Sequence, residues 1–180
     1  MSTFSHITDK QLRRSLASLA DLNQAAVAIS LLQSEVDWNR MYKTAELRKF
    51  RCYETTAIVA FSRPFATGRS GVSLSLKALG VNLTEPQKAL KKKVQTLRDK
   101  IVAHTDDDWM HYRISLHEFA GFHQPLPHYQ ADEGIRLSEA ELREFDGMVN
   151  EILEGIRRLM FDMSRECPER VEVYVRPGVK

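Results

Sequence analysis

The sequence predicts an all-α protein: an up-and-down bundle of about four helices with a small two-stranded β element. Apolar residues recur three and four residues apart in three long segments, as they do along one face of a helix. Strict alternation of apolar and polar residues is confined to short stretches near residues 110–118 and 171–176. The chain has 180 residues, which fits one domain spanning residues 1–180 around a single core.

The first helix is predicted from about Thr8 to Glu35, with Asp9 in its first turn. Its apolar face comprises Leu12, Leu16, Leu19, Ala26 and Val27. Asn23 interrupts this face, which predicts a hydrogen-bonded amide in the core or, alternatively, a polar group that meets a functional site. The second helix is predicted from about Trp38 to Phe61, because Pro64 disfavours helical geometry in the residue before it.

The third helix is predicted to begin at Thr84, since Thr84 and Gln87 have the spacing of a capping box. A short helical piece before it closes at Gly80. The apolar seam of the third helix runs through Leu90, Val94, Leu97 and Ile101. The next seam position is His104, so a titratable imidazole stands where a hydrophobic residue is expected. Asp106–Asp108 would oppose the negative end of the helix dipole, so the helix is expected to end soon after His104.

After this helix the spacing between successive apolar residues changes to two. Met110, Tyr112, Ile114 and Leu116 alternate with polar residues, which predicts a strand in a possible β insertion at 109–119. A loop containing Gly121, Pro125 and Pro127 is expected to follow. Val171, Val173 and Val175 alternate as well, and they predict a C-terminal strand at 171–176 beside the first one.

The fourth helix opens with a capping box, Ser138 and Glu141. Its apolar seam consists of Leu142, Phe145, Val149, Ile152, Ile156, Leu159 and Met163. Such a regular seam is found both between subunits of a coiled coil and inside the core of a single chain. Pro168 lies just past the predicted end of the helix.

Composition points to a soluble protein of the cytoplasm. The formal net charge is only +2, so any affinity for nucleic acid must depend on local patches. The two cysteines, Cys52 and Cys167, are far apart and predict reduced thiols rather than a disulfide framework or a zinc site. The N-terminus has no apolar region typical of a secretory signal, and no apolar run is expected to span a membrane.

Arg98 and His104 are the pair of residues whose side chains are best suited to catalysis on a phosphate. Imidazole, with an ordinary pKa of about 6.5, can accept or donate a proton near neutral pH. A guanidinium stays charged and binds phosphate with two parallel donors. Six residues along a regular helix place the two side chains about 120° apart, so two packed helices would bring such groups together more easily than one. Alternatively, His104 is a core histidine and Arg98 a surface residue.

The segment Arg98–His104, which reads RDKIVAH, resembles the signature of the HEPN superfamily (higher eukaryotes and prokaryotes nucleotide-binding domains). That signature is an arginine, usually followed by a polar residue, here Asp99, and then a histidine a few residues later. The resemblance is closest to the abortive-infection and toxin-like branches. The helical architecture of residues 8–166 agrees with the family, whereas the 110–118 strand pattern departs from its minimal four-helix core.

The resemblance implies a metal-independent endoribonuclease that works as a homodimer, with two Arg–His sets in one composite cleft and no cofactor. His104 would act as general base or acid for the RNA 2′-hydroxyl that attacks the adjacent phosphate, and Arg98 would stabilise the charge on that phosphate. The expected products are a 2′,3′-cyclic phosphate and a 5′-hydroxyl. Relatives of this kind are often toxins or phage-defence effectors, and an antitoxin protein is a possible partner.

Asp99 and Glu54 are candidates for supporting residues, and three basic residues are candidates for contact with RNA. Glu54 can orient His104 or pair with Arg98, although an ion pair with Arg51 is the simpler prediction. Lys91 and Lys92 belong to a basic stretch that can attract RNA or simply face solvent. Arg63 can contact phosphate or cap the carbonyls that end the second helix.

Three alternatives remain open at this level. One is a non-catalytic module of the same fold that binds a nucleotide, RNA or a protein. Another is a dimerisation domain with the Leu142–Met163 seam as its interface. The third is a metal enzyme that uses Asp106–Asp108, His111 and the later histidines His117, His123 and His128, although no spacing among them matches a metal motif.

Overall fold

The computed structural model describes residues 7–67, 71–102, 112–118, 121, 125–131 and 134–171. Four long helices form a bundle, and two strands form a small antiparallel sheet, which confirms the predicted fold class. The helices are α1 (Asp9–Glu35), α2 (Thr44–Ser62), α3 (Glu85–Leu97), α4 (Glu139–Glu166) and the short α5 (Pro168–Val171). A 3₁₀ turn (Arg63–Phe65) follows α2, and a π-helical turn (Arg98–Val102) follows α3. The strands are β1 (Tyr112–His117) and β2 (Leu126–Ala131).

Helix α1 packs against both α2 and α4, and α3 packs against the same two helices. The buried face of α1 differs from the predicted one, because Ser15 and Ser18 lie in the core while Val27 is exposed. Both serine hydroxyls donate to the carbonyl oxygen four residues earlier, which satisfies them inside the protein. Asn23 is exposed, so the prediction of a core amide at this position was wrong.

Helix α2 begins at Thr44 rather than near Trp38. Local hydrogen bonds hold the preceding segment in a turn: the backbone N–H of Asn39 donates to Asp37 Oδ1, and the N–H of Asp37 donates to the hydroxyl of Tyr42. Such bonds offer the backbone an alternative to the helix. The predicted helical piece ending at Gly80 is a series of turns, in which Gly80 has a φ of 65°.

The core lies between α4 and the other helices. Every residue of the predicted α4 seam is buried within this single chain, so the seam is a core stripe and cannot serve as the dimer interface. Phe145 in this seam meets Phe61 of α2 edge to face, with 4.9 Å between ring centroids. Gly155 lets α4 approach the segment before α3 closely, since a Cβ atom there would lie 2.7 Å from Val81 Cγ2.

The predicted strand near residues 110–118 is present as β1, but its partner is β2 rather than the C-terminal tail. The pairing runs from Tyr112 opposite Ala131 to His117 opposite Leu126. The prediction of a loop at Pro127 was therefore wrong, since this proline lies within a strand. The C-terminal strand was predicted at 171–176, where Val171 is helical and residues 172–176 lie outside the described residues.

One described helix, α1, is long enough and apolar enough to cross a membrane by length and composition, contrary to the expectation from sequence. Its buried side chains pack against α2 and α4, as those of a core helix do in a soluble protein. This packing agrees with a soluble domain.

Candidate functional site

Arg98 lies where the regular geometry of α3 ends. Its backbone N–H bonds to the carbonyl oxygens of both Gln95 and Val94, and residues Arg98–Val102 then form a π-helical turn. Single π-helical turns occur frequently at functional sites. Because of this turn, Arg98 does not lie within a regular helix that continues to His104. The angle of 120° expected between the two side chains therefore does not apply. His104 itself lies outside the described residues.

Asp99 pairs directly with Arg98. The Nη1 atom of Arg98 lies 2.6 Å from Asp99 Oδ1, and the two side chains are 43% and 58% exposed. An ion pair this exposed contributes little to stability. A guanidinium has five N–H donors, so Arg98 keeps donors for a ligand while Asp99 holds one of them. The structure thus brings together the predicted catalytic arginine and one of its two predicted supporting residues.

A cavity of about 310 Å³ opens beside Arg98, where the end of α2 meets the end of α3. It is lined by Ser62, Phe65, Ala66, Gln95, Arg98 and Asp99. Ser62 is only 5% exposed, and its Oγ has no hydrogen-bond partner within the described part of the chain. Sequence reasoning missed Ser62 because a serine at the end of a helix gives no signal by itself.

A second, larger cavity of about 480 Å³ lies along the basic side of α3 and shares Gln95 with the first. The predicted RNA contacts Lys91 and Lys92 both line it. The Nζ atom of Lys91 lies 4.2 Å from the centroid of the Phe65 ring and 3.4 Å from Gln95 Oε1. Burial lowers the pKa of Lys91 below its ordinary value.

Two lysines of the same helix are neutralised by carboxylates. Lys88 Nζ lies 2.6 Å from Glu85 Oε1, and Lys93 Nζ lies 2.6 Å and 2.8 Å from the two oxygens of Glu141. Burial works to raise the pKa of Glu141, but hydrogen bonds from Lys93 and the Ser138 backbone lower it overall. Lys91 and Lys92, the lysines of α3 without a carboxylate partner in the described part of the chain, therefore both lie at the larger cavity.

Arg63 does not cap the carbonyls at the end of α2. Its Nη1 lies 3.3 Å from Asp21 Oδ1 on α1, in a partly exposed ion pair. Arg14 of α1 binds the segment that follows α2: its guanidinium donates to the carbonyl oxygens of Arg63 and Pro64 in the 3₁₀ turn and of Ala66 just after it. Arg14 thereby fixes the segment that supplies Phe65 and Ala66 to the smaller cavity, a role that its sequence position did not reveal.

Glu54 holds the segment that leads into α4. It is 1% exposed, and its Oε1 accepts hydrogen bonds from the backbone N–H groups of Arg136 at 2.7 Å and Leu137 at 2.8 Å. One turn earlier on α2, Arg51 donates to the carbonyl oxygen of Gly134 at 2.8 Å. Burial raises the pKa of Glu54, although the two backbone hydrogen bonds and the charges of Arg51 and Arg136 oppose this shift.

These contacts separate Glu54 from the role predicted for it beside Arg98. Arg98 pairs with Asp99, and Glu54 bonds to the backbone before α4. The predicted ion pair between Arg51 and Glu54 does not form either, since Arg51 donates to Gly134 and Glu54 accepts from Arg136 and Leu137. Both side chains instead hold residues 134–137.

Within the described ranges, no three His, Cys, Asp or Glu side chains come close enough to bind a metal ion together. The proposed ligands Asp106–Asp108, His111 and His123 lie outside these ranges. Cys52 is exposed and Cys167 is buried, and neither forms a disulfide bond.

No known protein family, curated protein or solved structure matches this chain in sequence or fold comparisons.

Proposed function

We propose that this protein is a HEPN-like, metal-independent endoribonuclease in which Arg98 and His104 act on RNA. The observation that supports it most directly is the placement of Arg98, half-exposed at the π-helical turn and beside a polar cavity. A guanidinium at the rim of a cavity can bind a phosphate with two donors while the cavity holds a neighbouring group of the substrate.

The proposed reaction needs a base and a fixed positive charge. His104 takes the proton from the RNA 2′-hydroxyl, the O2′ atom bonds to the adjacent phosphorus, and the bond from phosphorus to O5′ breaks. A protonated histidine, that of the second copy in the dimer, supplies the proton to O5′. Arg98 stabilises the negative charge that builds up on the phosphate oxygens during this step. The products are a 2′,3′-cyclic phosphate and a 5′-hydroxyl.

The RNA strand is proposed to follow the basic side of α3. Lys91 and Lys92 lie at the larger cavity, and Gln95 joins this cavity to the one beside Arg98. Arg63 is a weaker candidate for RNA contact, because Asp21 already pairs with it. A homodimer in the cytoplasm, with an antitoxin protein as a possible partner, completes the proposal as the resemblance implies it.

Cleavage of a mixed RNA substrate in excess EDTA tests the proposal. We expect the wild type to produce cyclic-phosphate ends and both H104A and R98A to abolish them, while circular dichroism stays unchanged. R143A is the matched control, because Arg143 is an exposed arginine of α4 that pairs with Glu139, as Arg98 pairs with Asp99. Cleavage by H104A at the wild-type rate would refute the mechanism.

A second candidate function is a non-catalytic module of the same fold that binds RNA or a nucleotide. The ion pair between Arg98 and Asp99 favours it, because the carboxylate competes with phosphate for the guanidinium. This candidate predicts that the wild type binds RNA without cutting any of several substrates, tRNA included. D99N would then tighten binding to phosphate, since it frees the guanidinium.

A further inference from the structure

One residue in the wall of the cavity beside Arg98 has a buried hydroxyl without a hydrogen-bond partner. Ser62 lines it, is 5% exposed, and has an Oγ without a partner in the described part of the chain. Ser15 and Ser18, the other serines buried in a helix, both donate to a carbonyl oxygen one turn earlier. A buried hydroxyl without a partner is costly, so a ligand that bonds to it gains more than an exposed contact would give.

Gln95 provides a second polar group in the wall of this cavity. Its Oε1 accepts from Lys91 Nζ, which itself lies over the ring of Phe65. This arrangement directs the amide oxygen to the lysine and leaves the amide nitrogen as a donor. The hydroxyl of Ser62 and the amide of Gln95 are therefore neutral hydrogen-bonding groups, and Phe65 adds an apolar surface beside them.

These groups suit a nucleobase better than a second phosphate. Asp99 also lines the cavity, and its carboxylate would repel a second anion there. The Arg98–Asp99 pair as a whole is neutral, so it does not attract one. Proteins that recognise RNA by sequence take unstacked bases into pockets that combine aromatic surface with hydrogen bonds to the base edge. The composition of this cavity matches that requirement.

We propose that this cavity receives the unpaired base of the nucleotide next to the phosphate bound by Arg98, and that Ser62 and Gln95 bond to its edge. This inference rests on the proposed function and adds to it a preference for one base beside the cleavage position. Ser62 and Gln95 are then specificity-determining residues, and neither takes part in proton transfer.

Cleavage of an RNA library with a randomised single-stranded region tests the proposal. We expect the wild type to favour one base at a position adjacent to the cut. S62A and Q95A are each expected to weaken this preference about fivefold or more, the size of a lost base contact. S18A is the matched control, because it removes a buried hydroxyl from α1 without touching the cavity. Identical profiles for the wild type, S62A and Q95A would overturn the base pocket and leave the ribonuclease in place.

Binding measurements separate this inference from the proposed function. H104A, which cannot cleave under the proposal, is titrated with ribohexamers of a single base and with the four nucleoside monophosphates. A preference for one hexamer that S62A abolishes supports the base pocket, even if the wild type cuts no RNA. Equal binding of all hexamers by H104A refutes it. Binding of one monophosphate as tight as that of its hexamer refutes an RNA strand as the source of the base.

Discussion

Replacing Glu54 with alanine is expected to lower the free energy of unfolding by about 3 kcal/mol. The carboxylate accepts two short hydrogen bonds from backbone N–H groups, and a buried N–H left without an acceptor costs about 1–3 kcal/mol. The N–H of Leu137 is buried, whereas Arg136 is only partly buried, so the second group recovers part of the loss by bonding to water. For a domain of this size, 3 kcal/mol corresponds to roughly 6–12 °C in Tm.

Glu54→Gln is the matched control, because glutamine keeps a carbonyl oxygen that can accept both backbone hydrogen bonds. We expect E54Q to lose less than half of what E54A loses. Urea denaturation of the wild type and both variants, followed by circular dichroism, measures the difference. If E54A and E54Q were equally stable, the two hydrogen bonds would not be what holds residues 134–137 to α2.

The pH dependence of stability provides a second test at Glu54. Burial raises its pKa above the ordinary 4.5, so the folded protein holds the proton more tightly than the unfolded chain does. The contribution of Glu54 to the unfolding free energy is therefore complete below the unfolded pKa and is lost as the pH rises through the folded pKa. E54Q has no such proton, and the wild type should gain stability relative to E54Q on acidification. The opposite slope would show that hydrogen bonds and arginine charges outweigh burial.

Three further changes test the packing around the bundle by chemical denaturation. S62A is expected to keep or raise stability by up to about 1 kcal/mol, because it removes an unpartnered hydroxyl, whereas S18A removes a satisfied one and should not raise it. G155A is expected to destabilise by about 1–3 kcal/mol through its clash, while G147A, whose Cβ meets nothing within 4 Å, should stabilise by about 0.5–1 kcal/mol. R14A should cost about 1–2 kcal/mol, because the carbonyl oxygens of Pro64 and Ala66 lose a guanidinium donor, although the backbone N–H of Leu74 still donates to Pro64.

The sequence predicted the bundle because its strongest signals are local. The α4 seam and the capping boxes at Thr84 and Ser138 depend on neighbouring residues alone, and both boxes form as expected. A third box forms at Thr8, where only the start of the helix was predicted. The buried face of α1 was misjudged, because Ser15 and Ser18 look polar yet satisfy their hydroxyls within the helix.

Strand β2 and the contacts of the site could not be predicted for a different reason. Pro127 argues against a strand, but a two-stranded sheet consists only of edge strands, where proline is tolerated. The partners of Glu54 lie more than 80 residues away in sequence, and no local pattern indicates them. The π-helical turn at Arg98 could not be predicted either, because the apolar residues of α3 continue to Ile101 with the spacing of a regular helix.

Helix α2 carries two buried polar residues with separate tasks, Glu54 near its middle and Ser62 at its end, and this separation explains why the candidate site divides as it does. Glu54 holds the entrance to α4, whereas Ser62, eight residues on, lines the cavity beside Arg98. Eight residues of helix span about 12 Å, so the two contacts are out of hydrogen-bonding reach of each other. Changes at Glu54 should therefore affect stability first, and changes at Ser62 should affect ligand choice first. If E54Q altered the bases selected at the cleavage position without altering stability, this division would fail and Glu54 would belong to the site after all.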